Sequence, residues 1–123
     1  MSNNNATKDQ VESFLKAFKE RAGIWGIRYI DTKPNNIDTL ARLDITPKAR
    51  DKYVLGLGFE DYYQGPEKND YPHQNDVWMF GTNIKGQEVY IKIFINALAN
   101  QPNVCISFHI AEHKITYPLK QSN

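Results

Sequence analysis

Apolar side chains at Val11, Phe14, Leu15, Phe18 and Ala22 recur every three or four residues, which draws one stripe down a helix. Thr7 and Gln10 stand ahead of it with capping-box spacing and Gly23 supplies a stop, so the pattern predicts a helix over about residues 8–22. Trp25 to Ile30 is aromatic and β-branched and reads as a strand, with Trp25 and Tyr29 packing into the core. Lys33 to Asn36 is a loop, and Asn36 is placed to cap a short helix carrying Ile37, Leu40 and Leu43. Thr46-Pro47 gives an N-cap followed by proline at the first helical position, so a further helix is expected to about Leu57, with a turn over Phe59 to Tyr63. Gln64 to Gln74 is polar, contains Gly and Pro, and reads as a mobile loop.

From Asp76 the period changes to two. Val77 to Phe80, Val89 to Ile95 and Val104 to Ile110 are expected strands joined by short turns, which makes an antiparallel meander. Helices first and a sheet second give the α+β class: N-terminal helices packed on one face of an antiparallel sheet that ends in a three-stranded meander. The whole chain reads as a single domain, with residues 1–6 as a disordered tail and 111–123 as a C-terminal tail.

Alternation along the strands separates two faces. Val89, Ile91, Ile93 and Ile95 point one way, and Glu88, Tyr90, Lys92 and Phe94 the other. In the last strand Val104, Ile106, Phe108 and Ile110 read as the core row, with Cys105, Ser107 and His109 opposite. The second face should therefore display Tyr90, Lys92, Ser107 and His109 together. A two-residue turn at Lys85-Gly86 sets Tyr90 opposite Gly81 and sends Trp78 and Phe80 to the core, whereas a three-residue turn reverses this.

Composition narrows the function. The chain has 123 residues with 15 basic and 14 acidic side chains, which excludes a strongly cationic nucleic-acid coat but not a local basic site. The charge is segregated: residues 1–50 carry net +3, 51–80 carry −4 and 81–123 carry +2. One cysteine, Cys105, excludes an internal disulfide framework and a cysteine-based zinc site, and on a strand without an activating acid and His it reads as a structural thiol. With no apolar run of roughly 18 residues and a polar N-terminus, the expectation is a cytoplasmic protein without a membrane partner.

A lysine cation, a histidine and a tyrosine hydroxyl on one sheet face are what phosphodiester chemistry on RNA uses. One group takes the 2′-hydroxyl proton, one protonates the leaving 5′ oxygen, and a cation offsets charge at phosphorus. That reaction requires neither metal nor cofactor. The competing reading is a solvated sheet surface.

Tyr53-Val-Leu-Gly-Leu57, Glu60-Asp-Tyr-Tyr63, Asp76-Val-Trp78, Lys85-Gly-Gln-Glu-Val-Tyr-Ile-Lys92 and Cys105-Ile-Ser-Phe-His109 occur in an order and spacing that resembles the MqsR-like toxins, within the wider RelE-like ribonuclease fold. The resemblance covers about residues 45–118. It implies metal-independent cleavage of single-stranded mRNA, silenced by a cognate antitoxin protein, expected to be of the helix-turn-helix type. The family tyrosine matches Tyr90, and the basic residue closing the last strand is His109. The family lysine after the Tyr pair falls on Gln64, and the family glutamine after the Trp falls on Met79. The expected catalytic set is therefore His109 as general acid or base, Tyr90 as proton donor or phosphate ligand, and Lys92 as charge stabiliser. Gln64, Lys85, Gln87, Ser107 and Glu112 are the expected substrate contacts. The alternative is a RelE-like module that binds protein or RNA without cutting. A homodimer is compatible with the sequence.

His109-Ile-Ala-Glu112-His113 has the H-x-x-E-H spacing, but that motif needs a helix to bring both imidazoles to one zinc ion, and here it starts in a strand. Glu112 is a candidate to orient His109 or a nearby lysine. Tyr62, Tyr63 and Tyr71 are candidates to stack on bases, with packing an equal explanation.

Overall fold

The computed structural model describes residues 5–120. Their order is α1 (Lys8–Trp25), β1 (Ile27–Tyr29), α2 (Pro34–Leu43), α3 (Arg50–Leu55), a 3-10 turn (Phe59–Asp61), β2 (Tyr62–Glu67), β3 (Val77–Ile84), β4 (Gln87–Phe94) and β5 (Asn103–Ile110). The class is α+β. The strands form one sheet in the order β1-β5-β4-β3-β2. β3, β4 and β5 are the antiparallel meander, but β1 runs parallel to β5, so the sheet is mixed and not purely antiparallel.

The capping box at the head of α1 is present. Gln10 N–H donates to Thr7 Oγ1 at 3.2 Å, and Thr7 N–H donates to Gln10 Oε1 at 2.8 Å. Val11, Phe14, Leu15, Phe18 and Ala22 are buried as their spacing requires. The helix runs through Gly23 and stops at Gly26, whose φ of 82° suits a residue without Cβ. Trp25 therefore belongs to the helix end and is 45% exposed, not a core residue, and the strand after it shrinks to three residues. Tyr29 does pack against the core, under the Arg50 guanidinium at 3.9 Å, while Arg50 holds Asp31 through two hydrogen bonds.

Three further expectations are corrected. Asn36 is inside α2, which starts at Pro34; its side chain is used elsewhere, as described below. The Thr46 hydroxyl accepts Ala49 N–H at 3.2 Å and caps a turn, and the α-helix proper begins only at Arg50. The stretch expected as a loop from Gln64 opens with a strand, β2, which pairs with β3 through two register shifts.

Of the expected disordered tail, residues 1–4 lie outside the described residues, but Ala6 is buried and its N–H donates to the Tyr62 hydroxyl at 2.9 Å. Residues 121–123 of the C-terminal tail also lie outside them.

The β3–β4 hairpin turns in two residues, with positive φ at Lys85 and Gly86 (52° and 87°), the handedness that matches strand twist. The register follows: Gly81 opposite Tyr90, Met79 opposite Lys92, with Trp78 and Phe80 on the helix side. Here Phe14 of α1 stacks on Trp78 at 4.5 Å, and Val89, Ile91 and Ile93 meet α1, α2 and α3.

β5 departs from the expected alternation. Lys92 pairs with Ser107 but the next residue, Ile93, pairs with Cys105, so the register shifts across Ile106. N-terminal to the shift the faces exchange. Cys105 joins the helix-side core, while Val104 and Ile106 join Val77, Met79 and Phe94 in a second cluster on the other face. That second face is thus packed, with Tyr71 on Phe94 at 6.3 Å at one end.

Beyond Cys105 the edge of β5 is finished by side chains of α2. Asn36 Nδ2 donates to Ile106 O at 2.9 Å and to Ile30 O at 2.8 Å, Asn36 Oδ1 accepts Phe108 N–H at 3.1 Å, and Thr39 Oγ1 accepts Ile110 N–H at 3.0 Å. These bonds continue the ladder that the short β1 leaves unfinished. Among the described residues no helix is long and apolar enough to cross a membrane.

Candidate functional site

The register sets Tyr90 directly opposite His109 on the second face of the sheet. Their ring centroids are 5.3 Å apart at 37°. Tyr63, from β2, meets Tyr90 in a T-shaped contact at 6.3 Å and 80°. Around these rings lies a pocket of about 260 Å³. Gln64 lines it from β2, and Ala111, Glu112, His113 and Ile115 close it from the chain beyond β5.

His109 Nδ1 lies 2.9 Å from Ile110 O. A carbonyl only accepts, so this bond places a proton on Nδ1 and, in the neutral ring, leaves Nε2 as the acceptor of a ring that lines the pocket. Burial, with smaller contributions from the charges of Glu67 and Tyr63, pushes the Tyr90 phenol up to about 12. The phenol is therefore a hydrogen-bond donor throughout the neutral range. One acceptor nitrogen and one donor hydroxyl thus share a small cavity.

Of the expected site residues, the structure brings Tyr90, His109, Gln64 and Glu112 together around this pocket. Glu112 is steadied by Asn35, whose amide donates to its Oε2 at 3.1 Å. Lys92 is on the same face one residue pair further along, opposite Met79 and Ser107, and is half-buried outside the lining. Three residues expected as substrate contacts lie elsewhere. Ser107 shares the face but is 4% exposed beneath its neighbours. Gln87 has the parity of Val89 and Ile91, so it belongs to the helix side of the sheet. Lys85 turns back to α2, where its ammonium donates to Asp44 O at 3.0 Å.

The tyrosines separate equally clearly. Tyr62 is fully buried and donates to Gly65 O at 2.5 Å, and Tyr71 packs on Phe94, so Tyr63 is the one at the pocket. Cys105 is buried with its thiol pushed up by burial, and is unsuited to nucleophilic work. The residue that sequence reasoning did not assign is His113. Its signal was the spacing from His109, which does place both imidazoles on one cavity, through a bend after β5 and not through a helix. Among the described residues no group of three or more His, Cys, Asp or Glu is arranged to hold a metal ion.

No protein-family model matches the chain, and neither the comparison with curated proteins nor that with solved structures returns a match.

Proposed function

We propose that this chain cleaves single-stranded RNA at the Tyr90–His109 pocket, as a toxin whose activity a cognate antitoxin protein silences. The observation that carries the reading is the pairing in one cavity of an imidazole with an accepting Nε2 and a phenol that stays protonated. His109 Nε2 takes the proton from a ribose 2′-hydroxyl, and the resulting oxyanion attacks the adjacent phosphorus. The Tyr90 hydroxyl donates to a phosphoryl oxygen as charge gathers there. The bond from phosphorus to the 5′ oxygen breaks and that oxygen takes up a proton from a second acid or from water, leaving a 2′,3′-cyclic phosphate and a 5′-hydroxyl. Lys92 sits roughly 7 Å along the strand, a step its four-carbon stem spans, and supplies the cation. Tyr63, which lines the pocket, offers an aromatic ring to a flanking base. The mRNA substrate and the antitoxin rest on the resemblance to the MqsR-like toxins.

A second reading, a module that binds RNA or protein without cutting, is favoured by Gln64 standing where that family has a lysine and by Lys92 lying outside the lining. Expression in a bacterial host separates the two. Growth arrest that is relieved by His109→Ala or Tyr90→Phe supports the enzyme. Unimpaired growth, or arrest that both variants leave intact, supports the binding module.

A further inference from the structure

The chain beyond β5 does not leave the sheet, and Glu88 accepts three of the hydrogen bonds that hold it there. Ala111 N–H donates to the backbone oxygen of Glu88 at 2.8 Å. Four residues later Ile115 N–H donates to Glu88 Oε1 at 3.1 Å, and the Tyr117 hydroxyl donates to Glu88 Oε2 at 2.9 Å. Glu88 therefore clamps both ends of the bend that contains Glu112, His113 and Lys114. The strap lies flat because Gly81 has no side chain. A Cβ there would come 2.7 Å from Ile115 Cδ1 and 2.6 Å from Tyr117 Oη. Ile115 is 4% exposed over this position, and Gly81 is the β3 partner of Tyr90, so the strap crosses the sheet beside the pocket.

Two residues of the clamped bend border the site. Glu112 and His113 line the pocket together with Tyr90 and His109, and the Asn35–Glu112 bond ties the bend to α2 as well. The reaction needs two proton transfers: one group to remove the 2′-hydroxyl proton and another to supply the leaving oxygen. His109 has a partner that fixes its tautomer for the first. The second imidazole of the pocket is carried by the strap.

We propose that His113 is the second proton-transfer group of this pocket and that Glu88 is the positioning residue that holds it there; the proposal rests on the reading of the pocket as a phosphodiester-cleaving site. In the step, His109 Nε2 accepts the 2′-hydroxyl proton, the 2′ oxygen–phosphorus bond forms, and the phosphorus–5′ oxygen bond breaks. The imidazolium of His113 gives its proton to the 5′ oxygen. One proton enters the protein and one leaves it, and exchange with solvent restores both rings. No oxidant or reductant takes part.

A substrate pair tests this. One is an oligoribonucleotide with the ordinary 5′ oxygen leaving group; the other carries a 5′-bridging sulfur, which departs as thiolate without a proton. The wild-type chain cleaves both. On the oxygen substrate His113→Ala lowers kcat by about 10²- to 10⁴-fold with KM little changed. On the sulfur substrate the same variant returns to within about tenfold of wild type, a rescue that His109→Ala does not show. Glu88→Ala follows His113→Ala with a smaller loss, and Glu88→Gln, which retains an acceptor for Ile115 N–H, recovers most of it. Wild-type rates in His113→Ala, or equal losses on both substrates, overturn the proposal and leave the pocket reading standing. A folded wild-type chain that cleaves neither substrate overturns the pocket reading itself, and this proposal with it.

Discussion

Tyr90 and His109 face each other across β4 and β5 with ring centroids 5.3 Å apart, the one a half-buried donor and the other a ring whose tautomer a backbone oxygen fixes. In the proposed reaction His109 is the general base, a role that contributes about 10²- to 10⁴-fold to a rate. His109→Ala should lower kcat for RNA cleavage by a factor in that range. Tyr90→Phe removes only the hydroxyl and should cost about 10- to 1,000-fold, as loss of one donor to developing charge does. Steady-state kinetics on a short oligoribonucleotide, with circular dichroism to confirm the fold, checks both.

The phenol of Tyr90 also reports on stability at high pH. Its ionisation in the folded chain lies at about 12, above the ordinary tyrosine value of 10.0, because burial disfavours the anion. Between those values the folded state keeps a proton that the unfolded state has lost. Its stabilising effect is therefore complete below pH 10 and is lost as pH rises toward 12. Urea denaturation of wild type and Tyr90→Phe across this window should show the shallower decline in the variant. Parallel declines in the two proteins contradict the burial argument.

Asn36 should be a stability residue. Its amide serves Ile106 O, Ile30 O and Phe108 N–H at the unfinished edge of β5, and it is 2% exposed. Asn36→Ala leaves those buried groups without that partner and should destabilise the chain by about 2–4 kcal/mol, since each such loss costs about 1–3 kcal/mol and water relieves part of it. The shift of the urea midpoint measures it.

Cys105 should be silent to thiol reagents in the folded chain. It is 1% exposed, its Sγ lies 3.2 Å from Ser107 O, and burial keeps the thiol protonated. Labelling by a disulfide reagent should be as slow as unfolding and should accelerate with urea. Labelling within seconds in buffer contradicts the placement of Cys105 in the helix-side core.

How much of this was legible depended on where one face of an element met water. The α1 stripe and its Thr7–Gln10 cap were readable because the opposite side of that helix is solvated and the cap is local. The β4 alternation was readable for a similar reason, and a choice between two hairpin turns then fixed Tyr90 against Gly81. β5 misled because its first six residues are all buried, so alternation carried no signal and the shift at Ile106 could not be seen. Asn36 read as a helix cap because two of its partners, Ile106 and Phe108, lie some 70 residues away in sequence. β2 was hidden by Gly65 and Pro66, which look like a loop. On the site, Tyr90 and His109 followed from strand parity alone. Lys85 and Gln87 were misplaced because motif adjacency ignores which face a side chain occupies, whereas strand parity put Ser107 on its correct face but could not give its depth. His113 reached the pocket only through the return of the strap to Glu88, a tertiary contact that spacing does not encode.

The proposed cleavage depends on the 2′-hydroxyl of the RNA. Purified chain incubated with end-labelled single-stranded RNA in the presence of a chelator tests it most directly, with a matched RNA bearing one 2′-deoxy residue at the cleaved position. The expected products are fragments ending in a 2′,3′-cyclic phosphate, lost at the 2′-deoxy position and lost in His109→Ala. RNA that stays intact, or cleavage that the 2′-deoxy substitution leaves unchanged, contradicts it.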